Sequence, residues 1–348
     1  MNIYKLILLF TLILNYYFVV RSIPKNKYIC YIIICILASM LVNLQIFFET
    51  PDSEGYKNIY DNYINSKEIN FNIFEKDYLW LTLNKLFNYF FNSLFTIFFI
   101  SSIAFLIKCF IIYKITDYPF HALLAYLVIF FQIHELTQHR ISVASMFYLL
   151  SLYFLSNSSK VKSLIYNFLS FLCHSSLYFN LLVYFYKIFS INHLKLIIFI
   201  SFILIIFTIF PNQSFFIFLV NYLGIFDIYV PRMFEQYLTN NYNVVNTYGD
   251  YYPLIYIPLT LFIVLFKPYS YFSSNVIKLT YFSISIGYVL LWFFSDFYVV
   301  GGRFFEFYLV PLVLLFGFIS DDFFQKFFYH LIILLFIIRY FFLTNFFL

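Results

Sequence analysis

Long apolar runs separated by short polar stretches dominate this chain. A membrane-spanning helix requires about 20 apolar residues, and somewhat fewer where neighbouring protein shields it. On that criterion the pattern predicts roughly twelve spans. They are residues 3–20, 28–48, 93–113, 118–132, 141–155, 163–184, 196–210, 214–226, 251–266, 279–299, 304–319 and 327–343. The predicted fold class is an all-α polytopic membrane protein with about 10–12 transmembrane helices, in one integral membrane domain over residues 1–348.

Composition supports the same class. Hydrophobic residues make up 63% of the chain and charged residues 11%, against about 25% charged residues in a soluble domain. The cysteines all lie inside apolar runs, where we expect them to pack as small hydrophobic side chains rather than form disulfides or bind metal. The net charge of +5 is scattered and contains no basic run, which argues against nucleic acid as a partner.

Basic residues in short loops indicate the cytoplasmic side of a membrane protein. The first loop is therefore predicted to be cytoplasmic, because it carries Arg21, Lys25 and Lys27. If every predicted span crosses once, further lysines share that side, namely Lys114, Lys160, Lys162, Lys267 and Lys278. Lys187 and Lys195 fall on the opposite, outer side and disagree with the rule. The predicted outer segments are residues 49–92, 134–140, 227–250 and the turn at Gly301.

The first predicted outer loop, residues 49–92, contains seven acidic and three basic residues up to Asp77. Residues 78–91 within it are apolar on most faces, which favours a helix lying at the membrane surface. Asp52, Tyr56 and Tyr60 are spaced by four and would share one helical face, although a solvated loop explains them equally well.

Residues 134–139 read His-Glu-Leu-Thr-Gln-His, with the two histidines five apart. A zinc-protease helix needs its histidines four apart, so we predict no metal site here. Glu135 and His139 are four apart and could pair, which would hold one histidine tautomer beside Arg140 at a helix start. The planar guanidinium of Arg140 suits a phosphate or a carboxylate, and the alternative is an arginine that extends to the membrane interface.

Three further positions carry candidate chemistry. His174 lies within a predicted apolar span, so its ring nitrogens need partners inside the protein. Arg303 and Glu306 are three apart, and they either pair with each other or present Arg303 to an anionic ligand. Gly301 and the glycine after it allow close backbone approach before Arg303. Arg232, with Glu235 three residues later, is a second candidate basic contact.

The order of these motifs resembles the EpsG-type branch of the Wzy-like bacterial polysaccharide polymerases. The resemblance covers most of the chain and rests on ordered segments rather than on any single motif. These are Pro-Asp-Ser-Glu-Gly-Tyr-Lys-Asn-Ile-Tyr at 51–60, Phe-Glu-Lys-Asp-Tyr at 74–78, Gln-His-Arg-Ile-Ser-Val-Ala at 138–144, Phe-Leu-Cys-His-Ser-Ser at 171–176, and Arg303 before a late span.

The resemblance implies a multi-pass protein of the bacterial cytoplasmic membrane, with a GT-C-like polymerase architecture and a polar cavity on its outer face. Its implied reaction joins oligosaccharide repeat units carried on undecaprenyl diphosphate by metal-independent glycosyl transfer, with no cofactor. The implied partners are the lipid-linked oligosaccharide, the bilayer, a chain-length regulator and a flippase. The resemblance does not indicate which surface polysaccharide is made.

The site residues follow from the same resemblance. The diphosphate would be bound by Arg140, Arg303 and Arg232, and the attacking hydroxyl would meet a base among Asp52, Glu75 and His139. His174 would orient Arg140 or contact the diphosphate. Tyr56, Tyr60 and Glu306 complete the expected substrate contacts.

Three other functions remain open at this level. A lipid-linked saccharide flippase or transporter would line a passage that reaches both membrane faces, whereas these charges concentrate on one side. A membrane O-acyltransferase could use His174 but leaves the Asp-Tyr segment at 51–60 without a role. Another membrane glycosyltransferase would use nearly the same chemistry.

Overall fold

A computed structural model describes residues 3–21, 28–44, 53–65, 77–209, 252–267, 274–294, 298–319 and 322–338. Every regular element in these ranges is helical, which agrees with the predicted all-α class. Several predicted features lie outside the described residues, namely Asp52, Glu75, Arg232, the span 214–226 and the outer segment 227–250.

The first half of the chain contains eight helices in its described ranges, with one π-helical turn. They are α1 (Ile3–Val20), α2 (Tyr28–Leu44), α3 (Ser53–Ile59) with the π turn Tyr60–Ile64, α4 (Tyr78–Phe91), α5 (Phe95–Ile115), α6 (Pro119–Ile129), α7 (Phe131–His134) and α8 (His139–Ser156). The later elements are α9 (Lys160–Cys173), a 3₁₀ segment (Ser175–Lys187), α10 (Ile191–Ile209), α11 (Tyr252–Leu265), α12 (Ser274–Phe293), α13 (Tyr298–Leu309), α14 (Leu312–Phe316) and α15 (Phe323–Ile338).

Within the described ranges, two helical stretches are long and apolar enough to cross a membrane, Phe95–Ile115 and Asn275–Phe293. The other apolar helices in these ranges contain 10–17 residues and are shorter than these two stretches. Many large apolar side chains also face outward, including Ile29 at 73% and Phe90 at 73% exposure. Such an apolar exterior is typical of a protein that lies in lipid rather than water.

The predicted sixth span, residues 163–184, is wrong as a single crossing. Its chain leaves the helical conformation at His174 (φ −156°, ψ 123°) and continues as the 3₁₀ segment. Asn167 Nδ2 donates to the Asn180 carbonyl at 3.2 Å, and the Ser163 and Tyr184 hydroxyls lie 2.9 Å apart. These pairs make α9 and the 3₁₀ segment an antiparallel hairpin that turns at His174. An apolar run reads as one span because hydropathy does not record a reversal of direction.

The hairpin corrects the predicted placement of Lys187 and Lys195. Lys278 Nζ donates to the Lys187 carbonyl at 3.2 Å, and Lys195 Nζ donates to the Phe266 carbonyl at 2.6 Å, beside Lys267. All four lysines therefore lie at one end of the helical bundle, which we call the lysine end. The conflict with the positive-inside rule disappears because the reversal at His174 returns the chain to the side it came from.

Side-chain contacts give the relative directions of helices α10, α11 and α12. The Phe202 ring lies 6.4 Å from Tyr288, and Lys195 lies over Tyr281, so α10 and α12 run in the same direction. Tyr281 donates to the Ile263 carbonyl at 2.8 Å and Thr260 bonds to Tyr288, so α11 runs antiparallel to α12. Consequently α10 ends, and α11 begins, at the end of the bundle opposite the lysine end.

The predicted turn at Gly301 is instead part of α13. A Cβ on Gly301 would lie 3.0 Å from the Phe294 carbonyl oxygen, so glycine permits the close contact of α13 with the end of α12. The predicted span 304–319 is divided into α13 and α14 at Pro311, because proline lacks the N–H that a continuous helix needs.

The connection between α5 and α6 packs against the end of α14. The amide groups of Asp117 and Tyr118 donate to the Gly317 carbonyl at 3.2 and 3.0 Å. A Cβ on Gly317 would lie only 2.4 Å from the Thr116 Cβ. Glycine is therefore required at position 317 by the close approach of the two segments.

Candidate functional site

Arg140 and Asp77 form an ion pair at the end of the bundle opposite the lysine end. Arg140 is the second residue of α8, and its NH1 lies 2.5 Å from Asp77 Oδ2. The Asp77 side chain is 5% exposed and that of Arg140 is 35% exposed. Because the carboxylate is enclosed while the guanidinium reaches the surface, the pair leaves part of the arginine fork facing outward.

Asp77 stands directly before α4 in the left-handed conformation (φ 62°, ψ 31°). Aspartate tolerates this conformation better than most residues do. The second carboxylate oxygen, Oδ1, is buried and has no hydrogen-bond partner among the described residues. The site therefore contains a buried carboxylate with one oxygen on Arg140 and a second oxygen that contacts no donor from the part of the chain that the structure describes.

Tyr56 joins the same cluster from α3. It is 5% exposed, its ring lies 4.9 Å from that of His139 in an edge-on arrangement, and it interacts with the Arg140 guanidinium. The ring of Trp80 lies 5.9 Å from Tyr56 on the other side. The structure thus places Tyr56, which the sequence selected as a site residue, next to Arg140.

Tyr60 lies one turn after Tyr56 and is also buried, so the two share one face as the sequence predicted. Its hydroxyl donates to Asn88 Oδ1 at 3.0 Å, which fastens the π turn onto α4. Burial raises the pKa of the Tyr60 phenol, although the bond to Asn88 opposes this change, so the phenol stays protonated as a donor. Tyr60 therefore helps to hold the helix that carries Tyr56 against α4.

Helix α4 has the bounds predicted for the surface helix. Its Trp80, Asn84 and Asn88 are buried against the protein, whereas Tyr89 and Phe90 are 87% and 73% exposed. Its polar amides thus face inward and its aromatic residues face outward. This orientation suits a helix at a lipid surface, which stays a prediction.

His139 does not pair with Glu135, contrary to the sequence prediction. Its side chain is 1% exposed, Nδ1 lies 3.0 Å from the Ser101 hydroxyl, and the Phe98 ring packs edge-on at 5.0 Å. Glu135 instead pairs with Lys108. A buried lysine is a stronger partner for a carboxylate than a neutral imidazole is, and the spacing of four does not reveal it.

His174 lies level with Arg140 because α8 and α9 are antiparallel. Ser170 Oγ donates to the Ala144 carbonyl at 2.6 Å, and the Ser151 and Ser163 hydroxyls lie 3.0 Å apart. In the same register, the residue four positions after Ser170 lies opposite the residue four positions before Ala144, so His174 lies opposite Arg140. Asp77 also interacts electrostatically with Cys173, the residue before His174. The predicted spacing of 34 residues between Arg140 and His174 is thereby explained.

Arg303 lies at the same end of the bundle but on another helix. The neighbouring Phe304 ring is 5.8 Å from Phe179, which follows His174 closely along the 3₁₀ segment. Arg303 is exposed and makes no ion pair within the described ranges, so the alternative of a pair with Glu306 is not found there. Glu306 is partly buried one turn later. We call this end, with Arg140, His174 and Arg303, the arginine end.

A second polar cluster lies deeper, around Lys108 in α5. Its ammonium pairs with Glu135 and donates to the Ser142 carbonyl at 3.0 Å and the Ser145 hydroxyl at 3.2 Å. The hydroxyls of Tyr126 and Ser142 also donate to Glu135. Lys108 and Glu135 are both 0% exposed. The ammonium of Lys108 and the carboxylate of Glu135 are therefore both hydrogen-bonded within the protein.

Sequence reasoning did not select Asp77 or Lys108 as site residues. Lys108 carried a usable signal, because an ionisable residue inside an apolar span indicates a partner or a function. Asp77 lay within the Phe-Glu-Lys-Asp-Tyr segment, where nothing in the residue types distinguished it from Glu75. Its contact with Arg140 requires the packing of α4 against α9.

The cysteines are free, and Cys35, Cys109 and Cys173 are buried, as predicted from their apolar surroundings. Within the part of the chain that the structure describes, no group of three or more His, Cys, Asp and Glu side chains is placed to hold a metal ion.

The apolar helices and the polar cluster at one end define an all-α protein of the membrane class. The sequence profile of the EpsG family matches residues 28–347, nearly the whole chain. The chain therefore belongs to the EpsG family, and the resemblance stated from its motifs is confirmed. Neither a curated protein nor a solved structure matches the chain.

Proposed function

We propose that this EpsG-family chain is a polysaccharide polymerase that transfers a lipid-linked glycan to an acceptor sugar hydroxyl. The proposed donor is an oligosaccharide on undecaprenyl diphosphate, and the proposed location is the outer face of the bacterial cytoplasmic membrane. In this multi-pass arrangement the lysine end faces the cytoplasm, which accords with the positive-inside rule. The reaction as proposed uses neither a metal nor another cofactor.

The observation that carries the proposal is the Arg140–Asp77 pair, with its partly exposed guanidinium level with His174. Arg140 offers five N–H donors, and Asp77 engages NH1. The outward donors suit a diphosphate oxygen, whose negative charge grows as the leaving group departs. Fixed donors that meet developing charge stabilise a transition state without reorganisation.

The bond changes follow from these groups. The acceptor hydroxyl oxygen forms a bond to the anomeric carbon while the bond from that carbon to the diphosphate oxygen breaks. The hydroxyl proton passes to a carboxylate, and undecaprenyl diphosphate leaves with the electron pair. We assign the proton acceptor to the Asp77 carboxylate, because it is the carboxylate held against the Arg140 guanidinium, where the diphosphate is proposed to bind.

The other predicted site residues take supporting places. Arg303 and Arg232 are proposed to contact the diphosphate, with Tyr56 holding Arg140. Asp52 and Glu75 remain predicted alternatives to Asp77 as the base. His139 is enclosed by aromatic rings and bonded to Ser101, which favours a packing role.

The test uses a deletion strain that receives wild type, Arg140→Ala or the control Arg21→Ala. Arg21 is an exposed arginine over the Tyr17 ring, far from the site. We expect wild type and Arg21→Ala to make long polymer. Arg140→Ala should accumulate single lipid-linked repeat units, with equal protein in the membrane.

Two outcomes would contradict the proposal. Long polymer in the deletion strain would exclude polymerisation as the function. Accumulated units that a membrane-impermeant glycosidase cannot reach in intact spheroplasts would indicate a flippase instead, because a flippase defect traps its substrate on the cytoplasmic face.

A further inference from the structure

Lys108 and Glu135 lie beneath the proposed site without reaching its surface. Both side chains are 0% exposed, and the pair joins four elements, since Lys108 belongs to α5, Tyr126 to α6, Glu135 to the turn after α7, and Ser142 to α8. Burying two charges costs several kcal/mol each before their attraction is counted. An apolar pair of similar size would often stabilise the fold equally well, so stability alone gives little reason for ions here.

The cluster holds the backbone on both sides of Arg140. Glu135 is five residues before Arg140, and Ser142 is two residues after it. Glu135 accepts from Lys108, Tyr126 and Ser142, and Lys108 donates to the Ser142 carbonyl at 3.0 Å. The intervening turn is thereby fastened at its start and at the first turn of α8.

Arg140 itself projects away from this cluster. At about 100° per residue, its side chain lies about 200° around α8 from that of Ser142. Its NH1 is bonded to Asp77, on the opposite side from Lys108. Any effect of the buried pair on Arg140 therefore passes through the backbone of residues 135–142.

We infer that Lys108 and Glu135 are positioning residues, which fix the turn before α8 so that Arg140 presents its guanidinium to the diphosphate at the arginine end. This inference rests on the proposed function for the identity of the ligand. A reacting geometry displaced by about 1 Å can cost about a hundredfold in rate, so a rigid support for Arg140 has a direct catalytic consequence.

His134 is a buried neighbour of the Lys108–Glu135 pair. It is 0% exposed, neither ring nitrogen has a hydrogen-bond partner in the described ranges, and it interacts electrostatically with Lys108 and His174. It therefore lies between the buried pair and the hairpin turn. Removing the negative charge of Glu135 would leave Lys108 beside a histidine that cannot compensate it.

The first test measures position without requiring activity. Arg140→Cys is placed in a Cys30→Ser background, and its reaction rate with a membrane-impermeant thiol reagent is measured alone, with Glu135→Gln, and with Lys108→Met plus Glu135→Gln. We expect both network variants to change the rate at least threefold. Lys195→Met, which removes a lysine bonded to a carbonyl at the lysine end, serves as the matched control and should leave the rate unchanged.

The second test measures coupling in purified protein with lipid-linked repeat units. Each network variant should lower kcat/KM at least tenfold. The double variant should keep a melting temperature near that of wild type, whereas Glu135→Gln alone should melt lower, because it leaves the buried Lys108 ammonium without its carboxylate. Arg140→Lys should then lower kcat/KM by a far smaller factor in a network variant than in wild type, because an arginine that is already displaced contributes less to the reaction. A merely structural pair would lower the amount of folded protein but leave this Arg140→Lys penalty unchanged.

Several results would overturn the inference. Labelling rates of folded network variants that stay within twofold of the rate without them would do so. So would losses of kcat/KM from Arg140→Lys and from a network variant that simply multiply when the two changes are combined. Failure of both network variants to fold would assign the pair to stability instead. If wild type forms no polymer, the proposed function fails, whereas the labelling rates still decide whether Lys108 and Glu135 position residue 140.

Discussion

Asp77 Oδ2 lies 2.5 Å from Arg140 NH1, although 63 residues separate them in the chain. The contact joins the start of the surface helix α4 to the start of α8. It defines where the start of α4 meets the helical bundle. The arginine end is therefore organised by a contact between a loop residue and a helix residue.

Asp77→Asn should lower polymer formation by about 100-fold or more, because an amide cannot accept the hydroxyl proton and a general base contributes about 10²–10⁴-fold in rate. Asparagine keeps the shape and also tolerates the left-handed backbone, so folding should persist. Polymer length and lipid-linked intermediates are the measurement. Asp61→Asn, an exposed carboxylate of the same segment, is the control, and equal polymer from both variants would exclude a role for Asp77.

The hairpin at His174 predicts that Lys187 and Lys267 are accessible from the same side of the membrane. In a Cys30→Ser background, Lys187→Cys and Lys267→Cys should react with an impermeant maleimide only after the cells are permeabilised. Asp61→Cys, near the arginine end, should react in intact cells. Labelling of Lys187→Cys but not of Lys267→Cys in intact cells would show that residues 163–184 cross the membrane once.

Gly317→Ala should destabilise the protein by about 1–3 kcal/mol, the usual cost of overpacking. Its Cβ would lie 2.4 Å from that of Thr116, so one segment must move. Thermal unfolding in detergent measures the change, and adding Thr116→Gly should recover part of the loss. Gly55→Ala is the control, since nothing lies within 4 Å of a Cβ there. Equal melting temperatures for both alanine variants would contradict the close approach.

Tyr60→Phe should cost about 1–3 kcal/mol, because Asn88 Oδ1 loses its donor while it stays buried. Tyr89→Phe removes a hydroxyl from a tyrosine that is 87% exposed on the same helix α4, and it should change stability little. Unfolding in detergent distinguishes the two. A double variant with Asn88→Leu should recover part of the loss, since neither polar atom then remains unpaired.

The sequence predicted most helices because their apolar runs are long and bounded by polar residues. Helices α1 and α4 begin and end where the pattern indicates, and α5 differs by two residues at each end. The reversal at His174 could not be predicted, since the residues on both sides are equally apolar. The pairings of Asn167 with Asn180 and of Ser163 with Tyr184 reveal it.

The candidate site was predictable in part. Arg140, His174 and Tyr56 were selected from residue type and spacing, and the structure brings them to one end of the bundle. Asp77 and Lys108 depend on contacts between distant helices, which no local pattern records. The Glu135–His139 spacing suggested a pair, but the lysine on a neighbouring helix competes more strongly for the carboxylate.

Because α10 ends and α11 begins at the arginine end, residues 210–251 connect two points on the same side of the bundle. The length of that connection can change without altering the direction of any later helix. Insertions or deletions within this connection are therefore compatible with one and the same helical frame.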